Sequence, residues 1–311
     1  MTLNILFAGA PDKFRLFGPE LRRAVATQGL DACISADLTP DIVDYVVFEP
    51  TGQISDFSPF ARLKAVLSLW AGVEDIVTIK SLKVPLARMA DSGLKEGMVE
   101  WVLGHTLRHH LGIDTHVFGQ DGLWRSGKPP PLARSRKVSV LGLGALGSAC
   151  ATALHGLGFD VAGWSRTAKD GLPFPAFSGQ NGLAQALRRA QILVLLLPHT
   201  PKTTSIINAA SFAQMQRGCV VINPGRGPLI NDKDLLSALD TGHVAHATLD
   251  VFATEPLPAD HRYWAHPRVT VTPHIASATR PDTASDFVAL NISRFEAGLP
   301  LLAAVNRLES Y

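Results

Sequence analysis

Short, mostly apolar runs recur along the chain, separated by polar or amphipathic stretches rich in glycine and proline. Runs at 3–8, 45–48, 65–69, 137–141, 159–164, 192–197, 220–223, 246–251 and 269–272 predict strands. Alternating apolar and polar residues would mark a strand with one wet face. Runs that are apolar throughout mark strands buried on both faces, as in a parallel sheet covered by helices. Helices are predicted at 19–29, ending at Gly29, and at 94–111, where Met98, Trp101, Val102 and Leu107 fall at helical spacing. Two more are predicted at 148–157 and 284–297. Strands alternating with helices make βαβ units. The pattern occupies the first hundred residues and resumes after a connector at 119–134 rich in Gly, Pro and basic residues. The predicted fold class is α/β, with two domains and parallel sheets.

Length and composition agree with that division. A chain of 311 residues suits two domains. Its 46% hydrophobic and 18% charged residues allow a large core and leave apolar surface for a subunit interface. The formal net charge is +2, and the densest basic run, at 134–137, is short. No strong field is available for nucleic acid or a membrane surface. Cys33, Cys150 and Cys219 are far apart and lie in or beside apolar segments, which predicts free, buried thiols in a reducing compartment. Residues 1–10 lack a charged leader region and read as a first strand. The longest apolar run, 192–198, is too short to span a bilayer. The expected location is cytoplasmic. His109, His110 and His116 have no ligand spacing and read as helix and loop surface, so no metal is expected.

The first chemical signal is Gly142-Leu143-Gly144-Ala145-Leu146-Gly147. A lone G-x-G-x-x-G is weak, but this one follows a predicted strand and opens a predicted helix. Gly142 permits the tight turn, Gly144 lets the backbone approach a pyrophosphate at the positive end of the helix, and Gly147 lets helix and strand pack closely. The segment therefore predicts a dinucleotide. A site for NAD places Asp or Glu at the end of the following strand, to bind the ribose 2′-hydroxyl. Here that end reads Trp164-Ser165-Arg166. Arg166 can fork onto a 2′-phosphate, Ser165 can add a donor, and no carboxylate repels the phosphate. NADPH is expected over NADH.

Three more strand ends carry unusual polar residues: Asn223-Pro224-Gly225-Arg226-Gly227, then Asp250 through Glu255-Pro256, then Thr272-Pro273-His274. Taken alone, His274 reads as a structural histidine, Glu255-Pro256 as a turn and Asp250 as a cap. Ligands of open parallel sheets bind beyond the carboxyl ends of the strands, where these three segments would meet. Carbonyl reduction needs a cation to hold an anionic substrate, an acid to protonate the oxygen and a carboxylate to orient that acid. Arg226, His274 and Glu255 supply that set.

With these residues in this order, the sequence resembles the D-isomer-specific 2-hydroxyacid dehydrogenases over nearly its whole length, most closely their glyoxylate/hydroxypyruvate reductase branch. The resemblance rests on 141–147, 164–166, Leu197-Pro198-His199-Thr200, the Arg226 segment, 249–256 and 273–276. It implies two Rossmann-like/flavodoxin-like domains with an interdomain active-site cleft. Residues 1–95 plus 281–311 would bind substrate, and 96–280 would bind the dinucleotide. His274 would be the general acid, Glu255 its hydrogen-bonded partner, and Arg226 the substrate carboxylate's cation. Asp250 would face the nicotinamide carboxamide, and Pro198 would line the cofactor site. The Trp70-Ala71-Gly72-Val73 loop would hold the substrate carboxylate through backbone N–H groups. The implied substrate is a small 2-oxo acid and the implied assembly a homodimer. Trp70 stands where relatives often have a small residue, Glu74 where they often have Asp, and Pro224-Gly225 is an uncommon pair before Arg226. Two other readings of the motifs are a dinucleotide-sensing, corepressor-like binding protein and the same chemistry on another 2-oxo acid with NADH.

Overall fold

The computed structural model describes residues 2–50, 54–124, 127 and 129–306. The chain divides into two compact units, Met1–Leu94 with Thr279–Tyr311, and Lys95–Ala278.

The first unit is built on five parallel strands, β1 (Leu3–Ala8), β2 (Ala32–Ser35), β3 (Tyr45–Phe48), β4 (Ala65–Ser68) and β5 (Leu86–Ala87), in the order β2-β1-β3-β4-β5. This is the flavodoxin-like order. Side chains alternate across the sheet, and both faces are covered. Ile5, Phe7, Tyr45, Val47 and Leu67 form one core with Leu21 and Val25 of helix α1 (Pro11–Thr27). Leu6, Ala8, Val46, Phe48 and Val66 pack on the other side against Phe57, Val73, Ile76 and Leu82. Helix α1 begins eight residues before the expected start at Pro19. Pro11 occupies its first turn, where no N–H is needed. Pro19 lies inside, where burial of Phe17, Leu21, Ala24 and Val25 outweighs the lost hydrogen bond.

The helix α2 (Ser92–Leu111) follows, then the short α3 (Ile113–Val117). The second unit carries seven parallel strands: β6 (Lys137–Leu141), β7 (Asp160–Ser165), β8 (Ala176–Ser178), β9 (Ile192–Leu195), β10 (Cys219–Asn223), β11 (Val244–Leu249) and β12 (Val269–Val271). Their order, β12-β11-β10-β9-β6-β7-β8, reverses direction between β6 and β9, the place where such sheets bind ligands. One face is covered by α2 and α4 (Ala145–Gly156), through Met98, Val102, Cys150, Ala151 and Leu154. The other is covered by α5 (Gly179–Arg189), α6 (Ala209–Gln214) and α7 (Asp232–Asp240), through Ala186, Leu187, Phe212, Leu235 and Leu239. The short α8 (Arg262–Ala265) precedes β12, and α9 (Pro281–Glu296) returns to the first unit. Ala284, Val288, Ala289 and Ile292 of α9 complete the first core.

Two surface expectations are corrected. Cys33 is exposed, because it lies on the short β2 at the edge of its sheet, whereas Cys150 and Cys219 are buried. Burial pushes their thiols up to about 12 and about 11. His109 and His110 are not surface residues. His110 is buried beside Phe159, and His109 bonds Thr248 of β11. Among the described residues no helix is long and apolar enough to cross a membrane.

Candidate active site

All seven strands of the second unit are parallel, so the loops after their carboxyl ends share one edge of the sheet. The glycine loop is the most constrained of them. Gly142 has φ 106°, and a Cβ there would meet Leu196 O at 2.3 Å. A Cβ on Gly147 would lie 1.7 Å from Gly142 O. Both positions therefore exclude side chains by backbone contact. Gly144 differs, since nothing lies within 4 Å of its Cβ position and it is exposed. Behind it, the N–H groups of Ala145, Leu146 and Gly147 open α4 and donate to no backbone group among the described residues. Ala145 is exposed, and Leu146 is half-buried against the core. Open space in front of unsatisfied N–H groups at the positive end of a helix fits a pyrophosphate.

The end of β7 divides its labour differently from the sequence expectation. The Trp164 side chain is buried in the core, and its Nε1 donates to Gly179 O at 2.8 Å. Only its backbone faces the loop, through Gly142 N donating to Trp164 O at 2.8 Å. The Ser165 hydroxyl donates to Thr167 O at 2.6 Å, so its proton is not presented outward. Arg166 is exposed. Pro198, half-buried after β9, accepts a hydrogen bond from Thr203 Oγ1 at 2.7 Å. His199 Nε2 lies 3.0 Å from Thr204 Oγ1.

The structure brings Glu255 and His274 together. His274 Nδ1 and Glu255 Oε2 are 2.7 Å apart, with the two side chains 48% and 36% exposed. The other carboxylate oxygen, Oε1, accepts from Phe252 N at 2.8 Å. One end of Glu255 is thus tied to backbone while the other holds the imidazole. Arg226 follows β10, the neighbour of β11. Its loop lies directly on the Glu255 loop, because a Cβ on Gly227 would sit 1.9 Å from the Phe252 carbonyl carbon. Buried Asn223 braces this turn, donating from Nδ2 to Arg226 O at 3.0 Å and accepting from Gly225 N at 3.1 Å. In the sequence Asn223 stands only as the first residue of the Arg226 segment, with no role of its own. The available signal was a lone amide closing the apolar strand β10.

Asp250, expected at the nicotinamide carboxamide, is fully buried. Its carboxylate faces the His274 loop and accepts from Thr272 Oγ1, Ile275 N and Ala276 N at 2.6, 2.9 and 2.8 Å. It ends a polar row on the face of β11 that α2 covers. His246 Nε2 lies 2.9 Å from Thr270 Oγ1, and His109 Nε2 lies 2.8 Å from Thr248 Oγ1. The two rings are 4.9 Å apart. Burial, helped by the neighbouring charges, lowers His109 to about 3 and His246 to about 4. His105, tilted against Trp101, is lowered by burial as well.

In the first unit, the segment 70–72 follows β4. Trp70 is 44% exposed, and its N–H donates to Ser68 Oγ at 3.1 Å. The N–H groups of Ala71, Gly72 and Val73 donate to no backbone or side-chain acceptor among the described residues. Such N–H groups are free to donate to an anion.

A doubly wound sheet, an open helix N-terminus behind a glycine loop, and a histidine–carboxylate pair beside an arginine loop define a dinucleotide-dependent oxidoreductase. Residues 101–276 match the model of the D-isomer specific 2-hydroxyacid dehydrogenase, NAD binding domain. A glyoxylate/hydroxypyruvate reductase A from Yersinia enterocolitica is 40% identical over 277 residues, covering 86% of this chain and 88% of the relative. A D-isomer specific 2-hydroxyacid dehydrogenase from Xanthobacter autotrophicus Py2, solved with NADPH and MES, superposes with a TM-score of 0.92 at 38% identity and full coverage of both chains. An NADPH-dependent glyoxylate/hydroxypyruvate reductase from Sinorhizobium meliloti, solved with NADP and sulfate, gives 0.85 at 34% identity, covering 100% of this chain and 99% of that one. The chain belongs to the D-isomer-specific 2-hydroxyacid dehydrogenase family. It is an oxidoreductase whose cofactor is a nicotinamide dinucleotide.

Proposed function

We propose that this enzyme reduces short 2-oxo acids, glyoxylate and hydroxypyruvate foremost, to 2-hydroxy acids with NADPH. The observation that carries the reading is the Glu255–His274 pair, held at the ends of neighbouring strands beside the Arg226 loop. Relatives that are reductases of these two acids, and solved relatives that hold NADPH or NADP, support the substrate and the cofactor.

The residues divide the work as follows. The N–H groups at 145–147 hold the pyrophosphate, and Arg166 takes the 2′-phosphate. When bound, NADPH supplies the hydride to the carbonyl carbon. Arg226 binds the substrate carboxylate and polarises the carbonyl. His274, protonated, donates Nδ1–H to Glu255 and gives the proton on Nε2 to the carbonyl oxygen. Glu255, anchored by Phe252 N–H, orients the imidazole and balances its charge. The enzyme acts as a homodimer in the cytoplasm.

A panel of 2-oxo acids assayed with NADPH and with NADH, followed by loss of reduced-cofactor absorbance, tests the reading. The highest kcat/KM is expected for glyoxylate or hydroxypyruvate with NADPH. Absence of turnover on both acids would remove the substrate assignment, and a clear NADH preference would remove Arg166 from the 2′-phosphate.

A further inference from the structure

His274 is one of three non-glycine residues with positive φ among the described residues, at 53°. An L side chain is disfavoured there because its Cβ crowds the backbone, so the surroundings must impose the conformation. Its surroundings are almost entirely Asp250. His274 N donates to Asp250 O at 2.8 Å and to Thr272 O at 3.0 Å. The next two N–H groups, of Ile275 and Ala276, donate to Asp250 Oδ1 at 2.9 Å and Oδ2 at 2.8 Å. Thr272 Oγ1 adds a third donor to the carboxylate at 2.6 Å. Asp250 is itself fixed, fully buried at the end of β11 with its N–H on Asn223 O at 3.0 Å. Three successive N–H groups therefore close around one residue, and the first of them belongs to the histidine that meets Glu255.

We infer that Asp250 and Thr272 are positioning residues that hold His274 in its left-handed backbone conformation and so aim the imidazole at Glu255. The inference rests on the reading of His274 as the proton donor for its kinetic consequence, but its geometry does not. An asparagine at 250 has only one acceptor oxygen, so its amide nitrogen must face a donor, and the turn loses a bond it needs. A valine at 272 keeps the shape and removes the hydroxyl donor. A carboxamide-binding Asp250 makes the opposite forecast, because its loss would weaken the cofactor and leave the histidine in place.

The experiment uses the full-length enzyme and the variants Asp250→Asn, Thr272→Val and Thr272→Ser. Three readouts are needed: NADPH affinity by fluorescence titration, kcat and KM with glyoxylate, and the low-field proton resonance of the His274–Glu255 hydrogen bond, identified by its loss in His274→Ala. Asp250→Asn is expected to lose or shift the resonance and to lower kcat on the order of 10- to 100-fold, with NADPH affinity unchanged. Thr272→Val should lower kcat by a smaller factor, and Thr272→Ser should restore it. Weakened NADPH affinity with the resonance intact in Asp250→Asn overturns the inference. If Asp250→Asn does not fold, the threonine pair decides, and a Thr272→Val enzyme with unchanged kcat and resonance overturns it. Near-normal turnover in His274→Ala removes the proton-donor reading alone. The resonance in the Asp250 and Thr272 variants still judges the clamp.

Discussion

Gly144 and Gly147 lie three residues apart in the same loop, yet the structure gives alanine opposite effects at the two positions. At 147 the new Cβ would sit 1.7 Å from Gly142 O and must retreat to at least 3.0 Å. The obstacle is backbone, so no rotamer relieves it, and the first turn of α4 has to move away from β6. Overpacking of this kind costs about 1–3 kcal/mol. At 144 no atom lies within 4 Å of the new methyl, and φ of −77° is one that alanine adopts freely. Stability there should stay level or rise by about 0.4–1 kcal/mol, because the unfolded chain loses freedom. The methyl does, however, occupy space that the bare glycine leaves open for the close approach of a pyrophosphate. Displacing the pyrophosphate from one charge-assisted hydrogen bond costs about 1.5–3 kcal/mol, on the order of 10- to 100-fold in Kd. Thermal melts without cofactor and fluorescence titrations with NADPH on both variants separate the effects. Gly147→Ala should lose stability and affinity together, while Gly144→Ala should lose affinity alone. Wild-type NADPH affinity in Gly144→Ala would show that the pyrophosphate does not sit at this helix end.

The same structure carries further expected outcomes. His274→Ala should lower turnover on the order of 100-fold or more, and Glu255→Gln should lower kcat while leaving NADPH affinity unchanged, both read in steady-state assays. Arg166→Asp should reverse the cofactor preference by placing a carboxylate where the 2′-phosphate would bind, measured as the ratio of kcat/KM with NADPH and NADH. Stability should depend on pH through the histidines under α2. The folded chain keeps His109 and His246 neutral down to about 3 and about 4, whereas the unfolded chain protonates near 6.5. The unfolded state then binds more protons between those limits, and stability falls as the pH drops through that window, by at most about 1.4 kcal/mol per pH unit for each histidine. Urea midpoints from pH 7 to pH 5 would expose the slope in the wild type, and His246→Gln should flatten it. A wild-type midpoint independent of pH contradicts the burial of these rings.

The central strands were legible because burial on both faces leaves an almost wholly apolar run, unbroken in β3 and β9 and interrupted once within β1 and β6, by Asn4 and Ser139. Of the four edge strands only β12 was read, at 269–272. β2, β5 and β8 have two to four residues, and most are too short or too exposed to leave such a run. Pro19 reads as a helix start by its chemistry, and only the buried face on both sides of it carries the helix through. The strand ends that carry Arg226, Glu255 and His274 were legible because polar residues interrupt apolar runs at the places where an open sheet binds ligands. What they touch was not. Trp164 at a strand end looks as available as Arg166, and tertiary packing alone sends one ring inward and leaves the other side chain in water. Asp250 has the chemistry of a ligand contact, and its burial beneath the His274 turn depends on three donors contributed by a later strand end. The histidines of α2 look like surface residues because helices over a sheet are usually apolar there. The face they cover is itself polar, with His246, Thr248 and Thr270.

The return of α9 to the first unit also sets an order of events during synthesis. The first 94 residues leave the ribosome first, yet the core on one face of their sheet lacks Val288, Ala289 and Ile292 until the whole second unit has been made. The second unit is continuous in sequence and can close as soon as it emerges. Although encoded first, the amino-terminal sheet would be the last to become protected, with one apolar face waiting for its lid. A nascent chain halted before α9 should therefore resist protease across the cofactor unit and be cut within the first ninety residues. Adding α9 should abolish those cuts.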